Sequence, residues 1–209
     1  LSHALGLHAH WAPARRKQRW VQGQQVDSWS GMAVLSRHPA IECVSLQLPS
    51  NPADGGRLAQ MALLRLAAGT TLALANVHLS HLPDAAGGTA LRAQQLLAVL
   101  QDLATRHRGQ ARLVCGDFNA AIPALWPPHA SLHLGSQQDW TDLCAQLGMA
   151  TKTTHINDAG EPMDLDQMLC NHTLAARAVS THVVMSLPDA ATGVLPSDHF
   201  GLMATFTGQ

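Results

Sequence analysis

The chain has 209 residues, 46% of them hydrophobic and 13% charged. That suits one domain with a substantial core, and the charge content is too low for a disordered chain. A net charge of −1 excludes a global basic field that would grip nucleic acid regardless of sequence, though a local groove can still be basic. No apolar run approaches the roughly 18 residues that span a bilayer, so no transmembrane segment is expected. No signal-peptide pattern is legible, which leaves the compartment open with the cytoplasm favoured.

In chain order, "LSHALGL" reads as the tail of a helix stopped by Gly6, and "RRKQRWVQGQQVDSWS" as a polar, basic loop without periodicity. Strands come next at 31–37, 41–48, 57–66 and 71–79, marked by alternation or short apolar runs between Pro, Gly and Asn clusters. "AAGT", between the third and fourth of these, is short enough for a hairpin. Apolar residues at 91, 96, 97, 100 and 103 have helical spacing, and Gly109 stops that helix. "ARLVCGDFN" is a strand running into a loop, and "DWTDLCAQLGM" a short helix ending at Gly148. Residues 163–171, 178–187 and 201–208 complete the strands. Many strands, hairpin-length links and two helices favour an α/β sandwich of four layers. In it, two mostly antiparallel β-sheets pack face to face with helices outside. No internal repeat or linker divides the chain, so residues 1–209 form one domain.

The four cysteines, Cys43, Cys115, Cys144 and Cys170, lack C-x-x-C spacing and read as buried, reduced thiols. Most of the thirteen histidines, among them His107, His129, His155 and His172, stand singly in polar stretches and carry no message. His78 and His81 form an H-x-x-H. Residues three apart do not share a face of a strand, so a zinc pair is not expected.

Asp117 and Asn119 are two apart at a strand end, so both can face one spot while Phe118 turns into the core. The same residues also suit an ordinary turn. Ser197-Asp198-His199 places an acid and an imidazole side by side before the last strand, suited to metal binding and proton transfer. Asp166 stands in an apolar strand, where an unpaired carboxylate is expensive; His199 is a natural partner. Asp164 is placed nearer the strand end and solvent. Arg15, Arg16, Lys17 and Arg19 lie between Trp11 and Trp20. That composition suits a loop that holds a phosphate backbone and stacks a base, or a solvated surface loop.

Together "GMAVLSR", "NVHLSH", "RAQQLLAVL", "CGDFNA", "DLDQML" and "PSDHFGL", in this order, resemble the endonuclease/exonuclease/phosphatase superfamily, the deoxyribonuclease-I-like metal-dependent phosphoesterases. The resemblance implies a site at one rim of two sheets. His78 would contact the scissile phosphate, and Asp117 and Asn119 would activate water and hold the phosphate. Asp166 would orient the catalytic His199, and Asp198 would serve the metal. Gln167 stands where the family often has an aromatic residue or histidine. Family members also begin with a strand–helix–strand unit carrying an Asn and a Gln-Glu pair, and neither is found ahead of "LSHALGL". An N-terminally truncated domain is therefore expected, with central strands exposing unpaired backbone.

The expected function is hydrolysis of a phosphodiester or phosphomonoester by in-line attack of an activated water. Mg²⁺, or Mn²⁺, is the implied cofactor. Asp117 is the base, and Asn119 and His78 donate hydrogen bonds to phosphoryl oxygens. Arg15, Arg16 and Arg19 are the substrate-binding candidates. The substrate is a phosphate ester from nucleic acid, a lipid headgroup or a small phosphorylated molecule, and the chain is read as a monomer. The alternative is a non-catalytic relative that binds phosphorylated ligands, or a fragment inactive without the metal-binding Glu.

Overall fold

The computed structural model describes residues 2–125 and 140–208; His129 and the first residue of the helix expected at 139–149 lie outside them. A single turn, α1 (Ser2–Leu5), ends at Gly6, whose φ of +62° is the left-handed conformation that stops helices. The chain then enters a long antiparallel hairpin of β1 (His8–Val21) and β2 (Gln24–Ser36), so the loop expected in "RRKQRWVQGQQVDSWS" is corrected to strand. Gln22 and Gly23, at φ +50° and +78°, form the two-residue turn whose twist matches its flanking strands. Polar cross-strand pairs, Arg16 with Asp27 and Gln18 with Gln25, line this ribbon. Over residues 15–30 the ribbon is largely exposed on both sides, which leaves no alternation of apolar residues to read there.

The central sheet has six strands in the order β3–β4–β5–β6–β10–β7. These are β3 (Ala40–Gln47), β4 (Leu58–Arg65), β5 (Thr71–His78), β6 (Ala111–Asp117), β7 (Trp140–Asp142) and β10 (Asp166–Asn171). All neighbours are antiparallel except β5 and β6, which run parallel. The crossover between them is α2 (Gly88–Arg106). Short elements complete the chain: α3 (Ile122–Leu125), α4 (Leu143–Gln146), β8 (His155–Ile156), β9 (Pro162–Met163) and α5 (His172–Ala175). The last hairpin is β11 (Ala178–Val184) with β12 (Gly201–Phe206). The helix expected at 139–149 is narrower than its pattern suggested. Trp140–Asp142 is strand, and Asp142 caps α4 by accepting from the Cys144 and Ala145 amides.

Strand alternation sorts the core. Met61, Ala75, Val77, Val114 and Leu169 face α2, whose Leu96, Val99, Leu100 and Leu103 fill the space above them. The opposite face carries both hairpins. Gln60 donates to the His10 carbonyl and Asn76 to the Ala33 carbonyl, fixing β1–β2 on one half. Met168 and Cys170 meet Leu202, Ala204 and Phe206 on the other half. The second layer is thus two separate two-stranded pieces, with no described strand bonded between them. Leu72, Leu74 and Leu113 on this face are left partly exposed. All four thiols are free and Cys144 and Cys170 are buried, but Cys43 is exposed, because it lies on the edge strand β3. Among the described residues no helix is long and apolar enough to cross a membrane.

Candidate active site

Three adjacent strands supply three of the expected residues at one rim. β5 and β6 are parallel and end together, so His78 pairs in register with Asp117. β10 runs the other way and begins there, so Asp166 pairs with Asp117 from the far side. His78 Nε2 lies 3.4 Å from Asp117 Oδ2. Gly116 makes this approach possible: its φ is +133°, and a Cβ there would sit 2.1 Å from the Val77 carbonyl oxygen. Phe118 is fully buried, as expected. Asn119 takes a left-handed φ of +52°, which Asn tolerates. Its backbone N–H donates to Asp117 Oδ1 at 2.8 Å and its Nδ2 to the Leu79 carbonyl at 3.1 Å. The turn reading of "GDFN" is therefore realised, with Asp117 and Asn119 together at the rim.

His199 reaches the same rim from the loop before β12. Its Nδ1 lies 2.8 Å from Asp166 Oδ2, and since a carboxylate only accepts, Nδ1 carries the proton. The Thr154 hydroxyl accepts from the Leu165 and Asp166 amides, both at 3.0 Å, and its carbonyl accepts from the Phe200 amide at 2.7 Å. Thr154 thereby ties β10 to the loop that carries the histidine. Burial by itself lowers the His199 pKa, but the hydrogen bond and charge of Asp166, helped by Asp117 and Asp198, outweigh it and raise the value above that of a free imidazole. Asp166 is pushed up by burial, only partly offset by His199 and Thr154. His78 is pushed down, first by desolvation and then by the charges of Arg57, His199 and His81, against the pull of Asp117.

The sequence profile of the Endonuclease/Exonuclease/phosphatase family matches residues 2–199. The chain belongs to that family. Endonuclease, exonuclease and phosphatase are all phosphoesterase activities. Solved structures share the fold. Humanized D. rerio TDP2 aligns at TM-score 0.72 and 18% identity, covering 98% of this chain and 78% of that one. The Neisseria 3′ phosphatase NExo, bound to a product DNA hairpin, aligns at 0.66 and 20%, covering 99% and 82%. The mannosyl-6-phosphatase Bt3783 of Bacteroides thetaiotaomicron aligns at 0.64 and 15%, covering 96% and 77%. No curated protein matches the sequence.

Within this family member, the donor atoms of Asp117, Asp166 and His199 lie within 4.8 Å of one another, and so do those of His155, Asp198 and His199. Carboxylate oxygens in these groups suit a hard divalent cation that keeps several waters. His155 was not legible as a site residue. Its ring packs against that of His199 with centroids 4.5 Å apart, and its Nδ1 lies 2.9 Å from the Asp198 carbonyl. The contact comes from the isolated bridge between positions 155 and 199, which no local pattern announces.

The weaker motifs have structural roles. Buried Gln95 accepts from the Ser80 amide and donates to the Pro49 carbonyl, and buried Arg92 donates to the Ser80 and Leu82 carbonyls. "RAQQ" therefore fixes the loop after His78. Gln167 is buried and bonds Lys152, Ala120 and Asp164, so it braces loops behind the rim. Asp164 is less solvent-facing than expected, because it pairs at 2.8 Å with the buried Lys152.

The basic candidates separate. Arg15 lines a cavity of about 310 Å³ beside His78, whereas Arg16 turns away to pair with Asp27, and Arg19 lies outside the lining. Lys17, not among the expected substrate-binding residues, lines it too. His78 and His81 have different partners, Asp117 and Asp54.

Proposed function

We propose that the protein hydrolyses a phosphate ester by in-line attack of water at the rim formed by β5, β6 and β10. The observation that carries this is the register placing His78, Asp117 and Asp166 side by side, with His199 hydrogen-bonded to Asp166. Asp117 takes the proton of the attacking water. Its Oδ1 is held by the Asn119 backbone amide, and its Oδ2 lies toward His78 and the Asn119 side-chain amide. His78 and Asn119 steady the phosphoryl oxygens. His199, oriented by Asp166 and with its pKa raised above that of a free imidazole, meets the negative charge that grows on those oxygens as the ester bond breaks. Mg²⁺ or Mn²⁺, held through Asp198, would add charge neutralisation and align the phosphate.

The test is hydrolysis of a panel of phosphomonoesters and phosphodiesters with Mg²⁺. Turnover that EDTA abolishes, and that Asp117→Asn and His199→Ala each remove, is expected. Binding of phosphate esters with no turnover of any of them would assign the chain to the non-catalytic alternative.

A further inference from the structure

The cavity next to His78 has a wall that the hydrolytic residues do not use. Asp54 is buried, with a fully covered side chain. Its Oδ1 lies 2.8 Å from Arg57 Nη2 and 2.6 Å from His81 Nδ1, and its Oδ2 accepts from Arg57 Nε at 3.2 Å. One hidden carboxylate therefore holds a guanidinium and an imidazole together at the cavity surface. This is a built arrangement: a buried acid fixes two donors in place and leaves their remaining N–H edges available.

The hairpin supplies the opposite wall. The β1–β2 register shifts between Pro13 and Arg15, which leaves Ala14 as an extra residue in β1. A bulge of one residue reverses which side chains point inward. Before it, His10 and Ala12 lie opposite Val34 and Met32. After it, Arg15 and Lys17 lie opposite Ser30 and Ser28. Without the bulge, Arg16 would face the cavity and its neighbours would face solvent. Arg15 also lies against the loop that holds Asp54, since a Cβ on Gly55 would be 3.4 Å from Arg15 Nη1. Neither Arg15 nor Lys17 has an ion-pair partner among the described residues. Among the described residues no carboxylate lines the cavity. Asp54 offsets about one charge from behind, so Arg15, Lys17 and Arg57 leave a net positive chamber opening beside His78.

We propose that this cavity is a second anion subsite, which receives a phosphate group of the substrate other than the one being hydrolysed. A volume of about 310 Å³ is at the small end of ligand pockets and suits a phosphate with part of its sugar or ring. The proposal rests on the phosphoesterase reading only for which phosphate is cleaved. Two sources carry the required chemistry: a nucleic acid strand, with its adjacent phosphate, and a small molecule bearing two phosphates. Arg15 and Lys17 act as specificity-determining residues, and Asp54 as the positioning residue for Arg57 and His81.

The experiment is equilibrium binding in EDTA, where no turnover interferes, with three probes: thymidine monophosphate, thymidine 3′,5′-bisphosphate and a short oligothymidylate. The variants are Arg15→Gln and Lys17→Gln, both on the solvated hairpin, so that loss of fold is not the readout; circular dichroism checks this. At least one multi-phosphate probe binds more tightly than the monophosphate, and each substitution weakens that probe by about five- to tenfold. The same substitutions weaken the monophosphate by less than that probe, so the advantage of the second phosphate shrinks. For the oligothymidylate, the slope of log affinity against log salt falls by about 0.7 per cation removed. A gain for the oligonucleotide alone identifies a strand as the source, and a gain for the bisphosphate alone identifies a small molecule; both support the subsite. No gain from a second phosphate, or a gain that survives both substitutions, overturns it. Because binding is read without turnover, failure of the hydrolytic reading leaves this result standing, and the reverse is equally separable.

Discussion

Replacing Asp166 by Asn keeps the shape of the side chain and removes its charge. In the native site Asp166 Oδ2 accepts from His199 Nδ1 at 2.8 Å, with the two side chains 18% and 27% exposed. A charge-assisted hydrogen bond in that setting is worth about 1.5–3 kcal/mol. At about 1.4 kcal/mol per decade, kcat should fall roughly 10- to 100-fold, with a smaller change in KM, because the charge matters most as the phosphoryl oxygens gain negative charge. His199→Ala should fall at least as far. The double variant should be little worse than His199→Ala alone, giving a coupling energy of about 1.5–3 kcal/mol. Steady-state kinetics on one phosphate ester, with thermal melts to confirm equal folding, measure all four corners of the cycle. Fully additive losses would show that Asp166 serves the strand core and not the histidine.

Gly116→Ala should destabilise the protein by at least about 2 kcal/mol, read as a lower denaturant midpoint. The new Cβ meets the Val77 carbonyl in the sheet interior and the φ of +133° is strained for any other residue; an unchanged midpoint would refute the close approach of β5 and β6. Asp54→Asn should flatten the acid limb of stability. Burial pushes the Asp54 carboxyl up, but hydrogen bonds from Arg57 and Ser80 and the charges of Arg57 and His81 outweigh it and hold it below the ordinary carboxylate range. A folded value below the unfolded one gives stability that is present above the unfolded value and lost as pH falls through the folded one. Urea midpoints measured from neutral pH downward should therefore drop more steeply in the native protein than in the variant; parallel curves would contradict the pairing.

The strands of the central sheet and the helix α2 are legible from alternation and from apolar residues at helical spacing, because each buries one face against a common core. Of the long hairpin, the apolar run from Gly31 to Ser36 is legible; residues 15–30 are not, because they are largely exposed on both faces and the turn residues Gln22 and Gly23 are the one cue. His78, Asp117 and His199 were legible as polar residues at strand ends, and Asp166 as a carboxylate inside an apolar strand. Thr154 and His155 were not, since their importance lies in bridges to residues more than ten positions away.

Local chemistry in the sequence determined which apolar segments form the strands of the central sheet, which carboxylate needed a partner, and that cations cluster between Trp11 and Trp20. Tertiary structure alone decided how those cations divide. A single extra residue at Ala14 reverses the inward face of β1, sending Arg15 and Lys17 to the cavity and Arg16 to Asp27. Asp54 likewise reads in sequence as one acid of a turn, and becomes the anchor of Arg57 and His81 only when the loop after β5 folds against it. Side-chain direction along a strand is dictated by hydrogen-bond register, and register is set by the partner strand, which the local sequence does not contain.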